Sequence, residues 1–350
     1  MLNFDVYQPN GYVDMKAIIQ SEYTFIWIYG GRGTGKTFNA LTAFMDLGWK
    51  YIFSRRTPAI LNTILAGEDL NPFNKINQMR GTHYQSFKIP KTDLYSVYDT
   101  EIPDGMGKPI KTGEQQAICA PLSTFSKIRG VDLPEYKAIL LDEFVPELHE
   151  RRFRAPGTAL KNMYETVNRN RELEGHPPVK LICLTNSNQL GSDIVLEWNL
   201  ARPVYEMVKN GHWYRENPLP RTLIIMLKDS PISEAKKHTA LYEVSQGTDF
   251  YEMSIENEFA YDEPSEIRSI PLNQLKPIVN VGEITIYLIK TQRKYYVSSH
   301  YSGAVPRYAP SDTSLERFCR KYFLIWEAYL DNRVVFEDYI SEILFRKYFD

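Results

Sequence analysis

Short apolar runs, each closed by a glycine or a polar pair, mark the first two hundred positions. YTFIWIYG (23–30), KYIFSRRT (50–57), KAILLDEF (137–144) and VKLICLTNSN (179–188) each read as a buried strand ending in polar residues. FNALTAFMDLGW, directly after the first run and its loop, has helical spacing, and YETVNRNRELEG (164–175) reads as a helix between the third and fourth strands. This pattern predicts an α/β domain over 1–201 with a mostly parallel sheet. The pattern then weakens. RPVYEMVKNGHWYRENPLP (202–220) is rich in turn formers, and 202–228 is expected to be a linker or lid. Residues 229–350 read as a smaller α+β domain. There SEAKKHTALYEVSQG is a helix stopped by Gly247, EITIYLI and KYYVSSHY form a hairpin around KTQR, and TSLERFCRKYFLIWEAYL and VVFEDYISEILFRKYF are closing helices. RTLIIMLKD (221–229) is a further strand candidate, and its final Asp229 is the one acid placed to begin a nuclease-type metal site.

Between the first strand and its helix stands GGRGTGKT (30–37). Strand, Gly-x4-Gly-Lys-Thr, helix is the context of a phosphate-binding loop. Gly30, Gly31, Arg32, Gly33, Thr34 and Gly35 let the backbone curl with its N–H groups toward phosphate oxygens. Lys36 is expected on the β- and γ-phosphates, and Thr37 on Mg. The partner carboxylates are Asp142 and Glu143 at the end of KAILLDEF. Asp142 is expected to hold the metal through water and Glu143 to act as general base on the attacking water, so the cofactors are ATP and Mg. An adjacent glutamate belongs to the NTPase class with an added strand and a catalytic glutamate. Asn186, after the fourth run, is a candidate γ-phosphate sensor or a strand-end cap. Arg55 and Arg56 end the second strand, where they can contact phosphate, brace the site or meet DNA. Arg169, Arg171 and Arg129 (with Lys127 beside it) stand where ring motors place an arginine on a neighbour's nucleotide.

Composition narrows this little. The 350 residues carry 41 basic and 43 acidic side chains, a net charge of -2, so any grip on a polyanion has to come from a local patch. The three cysteines, Cys119, Cys183 and Cys319, are too far apart for a metal pattern and read as free thiols of a reducing compartment. No apolar run reaches spanning length, and MLNFDVYQPN has no signal-peptide pattern, so no membrane is expected.

GGRGTGKT with an arginine inside the loop, IFSRRT, PLSTFSKIRG leading into AILLDEF, and NRNRE before LICLTNSN resemble the genome-packaging (encapsidation) ATPases of phi29-type small tailed phages, compact relatives of terminase large subunits. The likeness covers about residues 20–200 and continues more weakly in QGTDFYEMSIENEF (246–259). It implies an additional-strand P-loop ATPase followed by a small RNase H-like domain without a working nuclease site. It implies translocation of double-stranded DNA into a preformed capsid by a homo-oligomeric ring at the portal, in the host cytoplasm, with a packaging RNA as a further partner. It gives Arg169 or Arg171 the trans-acting role, and Arg129 (or Lys127) a second trans contact. The competing expectations are a terminase with an active nuclease domain, a filamentous-phage-type assembly or export ATPase, and a phosphotransferase without motor function.

Overall fold

A computed structural model describes residues 2–66, 71–101, 109–128, 133–146, 153–186, 192–228, 230–248 and 266–349. The chain divides into two compact units, 1–260 and 261–350.

The first unit is organised by the apolar runs. They form β1 (Phe25–Tyr29), β2 (Lys50–Arg55), β6 (Tyr136–Asp142) and β7 (Lys180–Thr185). Residues 58–121, which the apolar pattern leaves unassigned, supply β3 (Gln85–Lys88), β4 (Tyr95–Glu101) and β5 (Ile110–Pro121). β8 (Tyr214–Glu216) and β9 (Thr222–Met226) complete a nine-stranded sheet of order β3-β4-β5-β2-β6-β7-β1-β9-β8. The six strands from β5 to β9 are parallel, while β3, β4 and β8 add antiparallel edges. A parallel sheet has to be covered on both faces, and this is why its strands are almost continuously apolar. Ile26, Ile28, Ile52, Phe53, Leu140, Ile182 and Leu184 are all fully buried. Each such side chain contributes about 1.5–3 kcal/mol relative to exposure.

Among the described residues, the α-helices of this unit are α1 (Met15–Gln20), α2 (Lys36–Asp46), α3 (Pro58–Ala66), α4 (Pro72–Arg80), α5 (Pro156–Asn168), α6 (Asp193–Glu197), α7 (Ala201–Lys209), α8 (Pro231–Lys236) and α9 (Ala240–Val244). Three expectations need correction here. The segment 202–228 is no linker: β9 pairs with β1 along its whole length, and Leu223, Ile224 and Ile225 are fully buried. Burial on both faces of the sheet, rather than the turn formers around it, decided its place. The expected helix 164–175 stops at Asn168, where Arg169 takes a positive φ of 40° and the Asn168 side chain turns to accept from the Val179 N–H at 2.9 Å. The expected helix through 233–247 is two short pieces, α8 and α9.

The second unit holds a five-stranded sheet of order β13-β10-β11-β12-β14, from β10 (Leu275–Val281), β11 (Ile284–Ile289), β12 (Tyr295–Ser298), β13 (Arg307–Tyr308) and β14 (Val334–Phe336). β11 and β12 form the expected antiparallel hairpin. The closing helices are α10 (Asp312–Lys321), α11 (Phe323–Leu330) and α12 (Tyr339–Phe349). Two runs read as single helices are therefore split. Tyr322, at φ −112° and ψ 24°, breaks the first, and Val334–Phe336 leaves the second to pair in parallel with β12. β-branched and aromatic residues prefer the pleated position once a neighbouring strand offers it. The boundary at 260 also lies beyond the expected 229, a residue outside the described ones.

Candidate nucleotide site

Parallel strands bring their carboxyl ends to one edge, and in open α/β sheets ligands bind there. Gly30 follows β1 at that edge, Arg55 ends β2, Asp142 ends β6 and Asn186 follows β7. β7 lies between β1 and β6, so the strand with the glycine loop and the strand with the acids are separated by one inserted strand. Past the end of that inserted strand, Thr37 and Asp142 reach each other.

The loop is held from both sides. The Gly30 N–H donates to the Thr185 carbonyl at 3.2 Å, and the Val13 N–H donates to the Thr34 carbonyl at 3.1 Å. Gly35 caps α2 in the left-handed region, with φ 86°, and so turns the chain from loop to helix within one residue. α2 then begins with Lys36 and Thr37 in its first turn, where the free N–H groups and the helix dipole favour an anion.

Lys36 is 5% exposed. Its ammonium donates to the Gly30 and Gly31 carbonyls at 2.7 and 2.8 Å and to Asn186 Oδ1 at 2.9 Å. Burial pushes its pKa down to about 7, against the pull of Asp142 and Glu143. An ammonium that has lost most of its water gains from an anionic partner. Asn186 Nδ2 in turn donates to Glu143 Oε1 at 3.3 Å. The Thr37 hydroxyl donates to Asp142 Oδ2 at 3.0 Å. Arg55 links the two acids: one nitrogen lies 2.8 Å from Asp142 Oδ2 and another pairs with Glu143. Lys36, Asn186, Glu143, Arg55, Asp142 and Thr37 thus form one continuous chain of polar contacts drawn from four segments of the sequence.

Glu143 has φ 57°, a conformation that non-glycine residues seldom adopt. Its N-terminal neighbour Asp142 ends the strand, and the Phe144 N–H returns to the ladder through the Leu184 carbonyl at 3.0 Å. The left-handed residue therefore turns its own carboxylate out of the sheet while the chain on both sides stays anchored. Such an outlier persists only where its surroundings over-determine it.

The donor set suits a phosphate chain with a hard divalent cation. Mg takes one or two carboxylates, keeps several waters and fills the rest of its octahedron from phosphate oxygens. The Thr37 hydroxyl and the Asp142 carboxylate, two hard oxygens that already converge, match that demand.

Two arginines expected as DNA contacts are not presented to a duplex. Arg55 has a side chain 14% exposed and turned onto the acids. Arg56 is 3% exposed, with its guanidinium 6.0 Å from the Phe153 ring centre. Bracing, one of the three roles open to this pair in the sequence, fits Arg55. Arg169 and Arg171 lie at the opposite edge of the sheet, because α5 runs back to the start of β7. Arg171 donates to the Pro177 carbonyl at 3.1 Å and to that of Pro134, just before β6. Both arginines are therefore separated from their own glycine loop by roughly 17 Å of strand. Arg129 lies outside the described residues, as does the side chain of Lys127.

One contact has no signal in the sequence. Lys236, on α8, donates its ammonium to the Arg32 carbonyl on the crest of the loop. Two hundred positions separate the partners, and no motif marks the lysine.

Comparison with known proteins follows the same lines. The DNA packaging protein of Bacillus phage phi29 is 25% identical over 242 residues, 67% of this chain and 62% of that protein. The chain thus spans 62% of the length of the curated relatives it matches. A solved structure of the phi28 gp11 DNA packaging motor superposes with a TM-score of 0.62 at 15% identity, covering 97% of this chain and 98% of that one. The bacteriophage phi29 viral genome packaging motor assembly gives a TM-score of 0.62 at 19% identity, covering 96% and 99%. These two likenesses concern the fold. The family model for the podovirus DNA encapsidation protein (Gp16) matches residues 108–303, a stretch that includes Asp142, Glu143, Arg169 and Asn186. With the acids, the inserted strand and the second unit's hairpin all inside or bordering that match, the chain belongs to the podovirus DNA encapsidation (Gp16) family.

Proposed function

We propose that the protein is the ATPase of a viral DNA-packaging motor, which couples ATP hydrolysis to translocation of double-stranded DNA into a preformed capsid. The observation that carries the reading is the convergence of Lys36, Thr37, Asp142 and Glu143 at one sheet edge in a chain of the encapsidation family. Gly30 to Gly35 and Lys36 bind the phosphate chain of ATP. Thr37 and Asp142 would hold Mg, which when bound offsets phosphate charge. Glu143 accepts the proton of the attacking water. Asn186, between Lys36 and Glu143, aligns the base with the phosphate end. Arg55 keeps the two adjacent carboxylates in register.

The same reading assigns the distant arginines to a neighbour. An arginine at the far edge of the sheet is out of reach of its own nucleotide, so Arg169 or Arg171 serves the next subunit of a homo-oligomeric ring, with Arg129 as a second trans contact. Of the first two, Arg169 is the more exposed. The relatives are named as DNA packaging proteins and a genome packaging motor assembly, which supports a packaging motor; the portal of the capsid, in the host cytoplasm, as the place of action, and a packaging RNA as a partner, are assigned from the family resemblance. The second unit is assigned an RNase H-like binding role without nuclease chemistry. In support, the five strands of its sheet contain no aspartate or glutamate. Asp229, the acid expected to begin a nuclease site, lies outside the described residues.

The test is ATP turnover by the portal-bound protein with and without double-stranded DNA. Turnover should rise with DNA, vanish with nucleotide binding in Lys36→Ala, and vanish with nucleotide binding retained in Glu143→Gln. Normal ATP affinity in Lys36→Ala, or turnover indifferent to DNA, would overturn the reading.

A further inference from the structure

The glycine loop carries a second lysine that its motif does not include. Lys236 stands on α8, which reaches the loop after the last strand of the sheet. The helix is held in place independently of the lysine. A Cβ on Gly11 would lie 2.8 Å from Pro231 Cβ, so the N-terminal segment and the start of α8 touch. The Tyr7 hydroxyl donates to the Lys228 carbonyl at 2.8 Å. The same N-terminal segment binds the loop through Val13 and Thr34. α8 and the glycine loop are therefore fixed to one support.

At the end of that helix the Lys236 side chain crosses the loop. Its ammonium bonds to the Arg32 carbonyl and passes over Gly33, where a Cβ would overlap it. Gly33, with φ 78°, thus gives up its side-chain volume to a cation as well as making the turn. The Tyr242 ring centre lies 5.9 Å from the same nitrogen. Among the described residues Lys236 has no carboxylate partner, whereas its neighbour Lys237 is paired with Glu234 at 2.7 Å. Burial depresses the Lys236 pKa, and its charge is felt at Lys36. Two partly desolvated ammonium groups on one short loop, with a single backbone carbonyl as the outer one's acceptor, form a site that an anion completes.

We infer that Lys236 is a second phosphate-binding lysine of the nucleotide site, which exchanges the Arg32 carbonyl for a phosphate oxygen of the bound nucleotide. The inference rests on the reading of the loop as an ATP site. It adds a binding residue from outside the motif, bonded to the loop at the Arg32 carbonyl. A flexible ammonium is suited to this, because it binds as a point charge and can swing between two acceptors.

The test uses the full chain and methylanthraniloyl-ATP fluorescence, with Lys236→Met, Lys236→Gln and Lys36→Ala alongside the unmodified protein. Loss of a charge-assisted contact predicts a Kd about tenfold to a hundredfold higher in Lys236→Met. In steady-state turnover the change should fall in KM, with kcat within about threefold, because the contact already exists in the ground state. Lys236→Gln keeps a donor for the Arg32 carbonyl and removes the charge. It should bind as weakly as Lys236→Met, and neither should alter the melting temperature measured without nucleotide. Native affinity in Lys236→Gln would show that the lysine only braces the loop and would overturn the inference. So would native affinity in Lys236→Met beside lost binding in Lys36→Ala, an outcome that leaves the ATP site intact. If the unmodified protein binds no methylanthraniloyl-ATP, the reading of the loop itself fails, and this inference with it.

Discussion

Arg55→Ala separates the brace from the DNA contact that its position in the sequence also allowed. The guanidinium spans Asp142 and Glu143, whose side chains are 4% and 30% exposed. Removing one member of a buried ion pair costs about 3–5 kcal/mol, because the remaining charge stays buried and unpaired. Three features place Arg55→Ala at the lower end. Asp142 keeps the Thr37 hydroxyl at 3.0 Å, Glu143 keeps Asn186 at 3.3 Å, and the exposed part of Glu143 is screened by water. The expected loss is about 3 kcal/mol. At about 2–4 °C per kcal/mol for a unit of this size, the melting temperature should fall by roughly 6–12 °C. Calorimetry in the presence and absence of ATP reads that shift, and ATP turnover without DNA reads the site. Turnover should drop at least about tenfold, since the carboxylates repel each other out of register at a cost of over 1 kcal/mol. Lys in place of Arg should recover little, because one ammonium cannot fork to two carboxylates. DNA affinity should stay within about twofold. A variant that melts normally and turns over ATP normally but binds DNA weakly would refute the brace.

The trans arginine is checked by mixing. Arg169→Ala and Glu143→Gln should each bind ATP and turn over slowly alone, the arginine loss being worth on the order of 10³-fold. Together they should regain turnover, since the two defects fall on different sides of a shared site; no recovery, or normal turnover by Arg169→Ala alone, would remove Arg169 from the interface. The thiols offer a test of the fold. Cys119 and Cys183 are fully buried in the sheet, and burial raises both thiol pKa values, while Cys319 is half-buried. Dithionitrobenzoate should titrate one thiol per native chain, slowly, and three in denaturant; two or more fast thiols would contradict the buried strands β5 and β7.

Much of the site could be read in the sequence because its signals are local. GGRGTGKT needs only the strand before it and the helix after it, and Asp142–Glu143 needs only the strand that ends there. Both depend on backbone conformation within a few residues, so spacing and residue type suffice. The α/β class followed for the same reason, from apolar runs too continuous for exposed strands. What failed to show was decided by contacts between distant segments. RTLIIMLKD was legible as a strand, but nothing local says that it pairs with β1 rather than starting another domain. The turn formers before it argued for a linker, and burial between two covered faces overrode them. VVF at 334–336 fits a helix until β12 offers its edge. Arg55 carried three possible roles at the end of β2, and only the placement of β2 next to β6 turned it onto the two acids. Lys236 carries no local signal at all, since its meaning lies in a carbonyl 204 positions earlier. Sequence determined the chemistry that each segment can hold, because backbone propensity and residue type act at short range. Tertiary structure decided which segments share a site, because that depends on sheet order and on which faces must be buried.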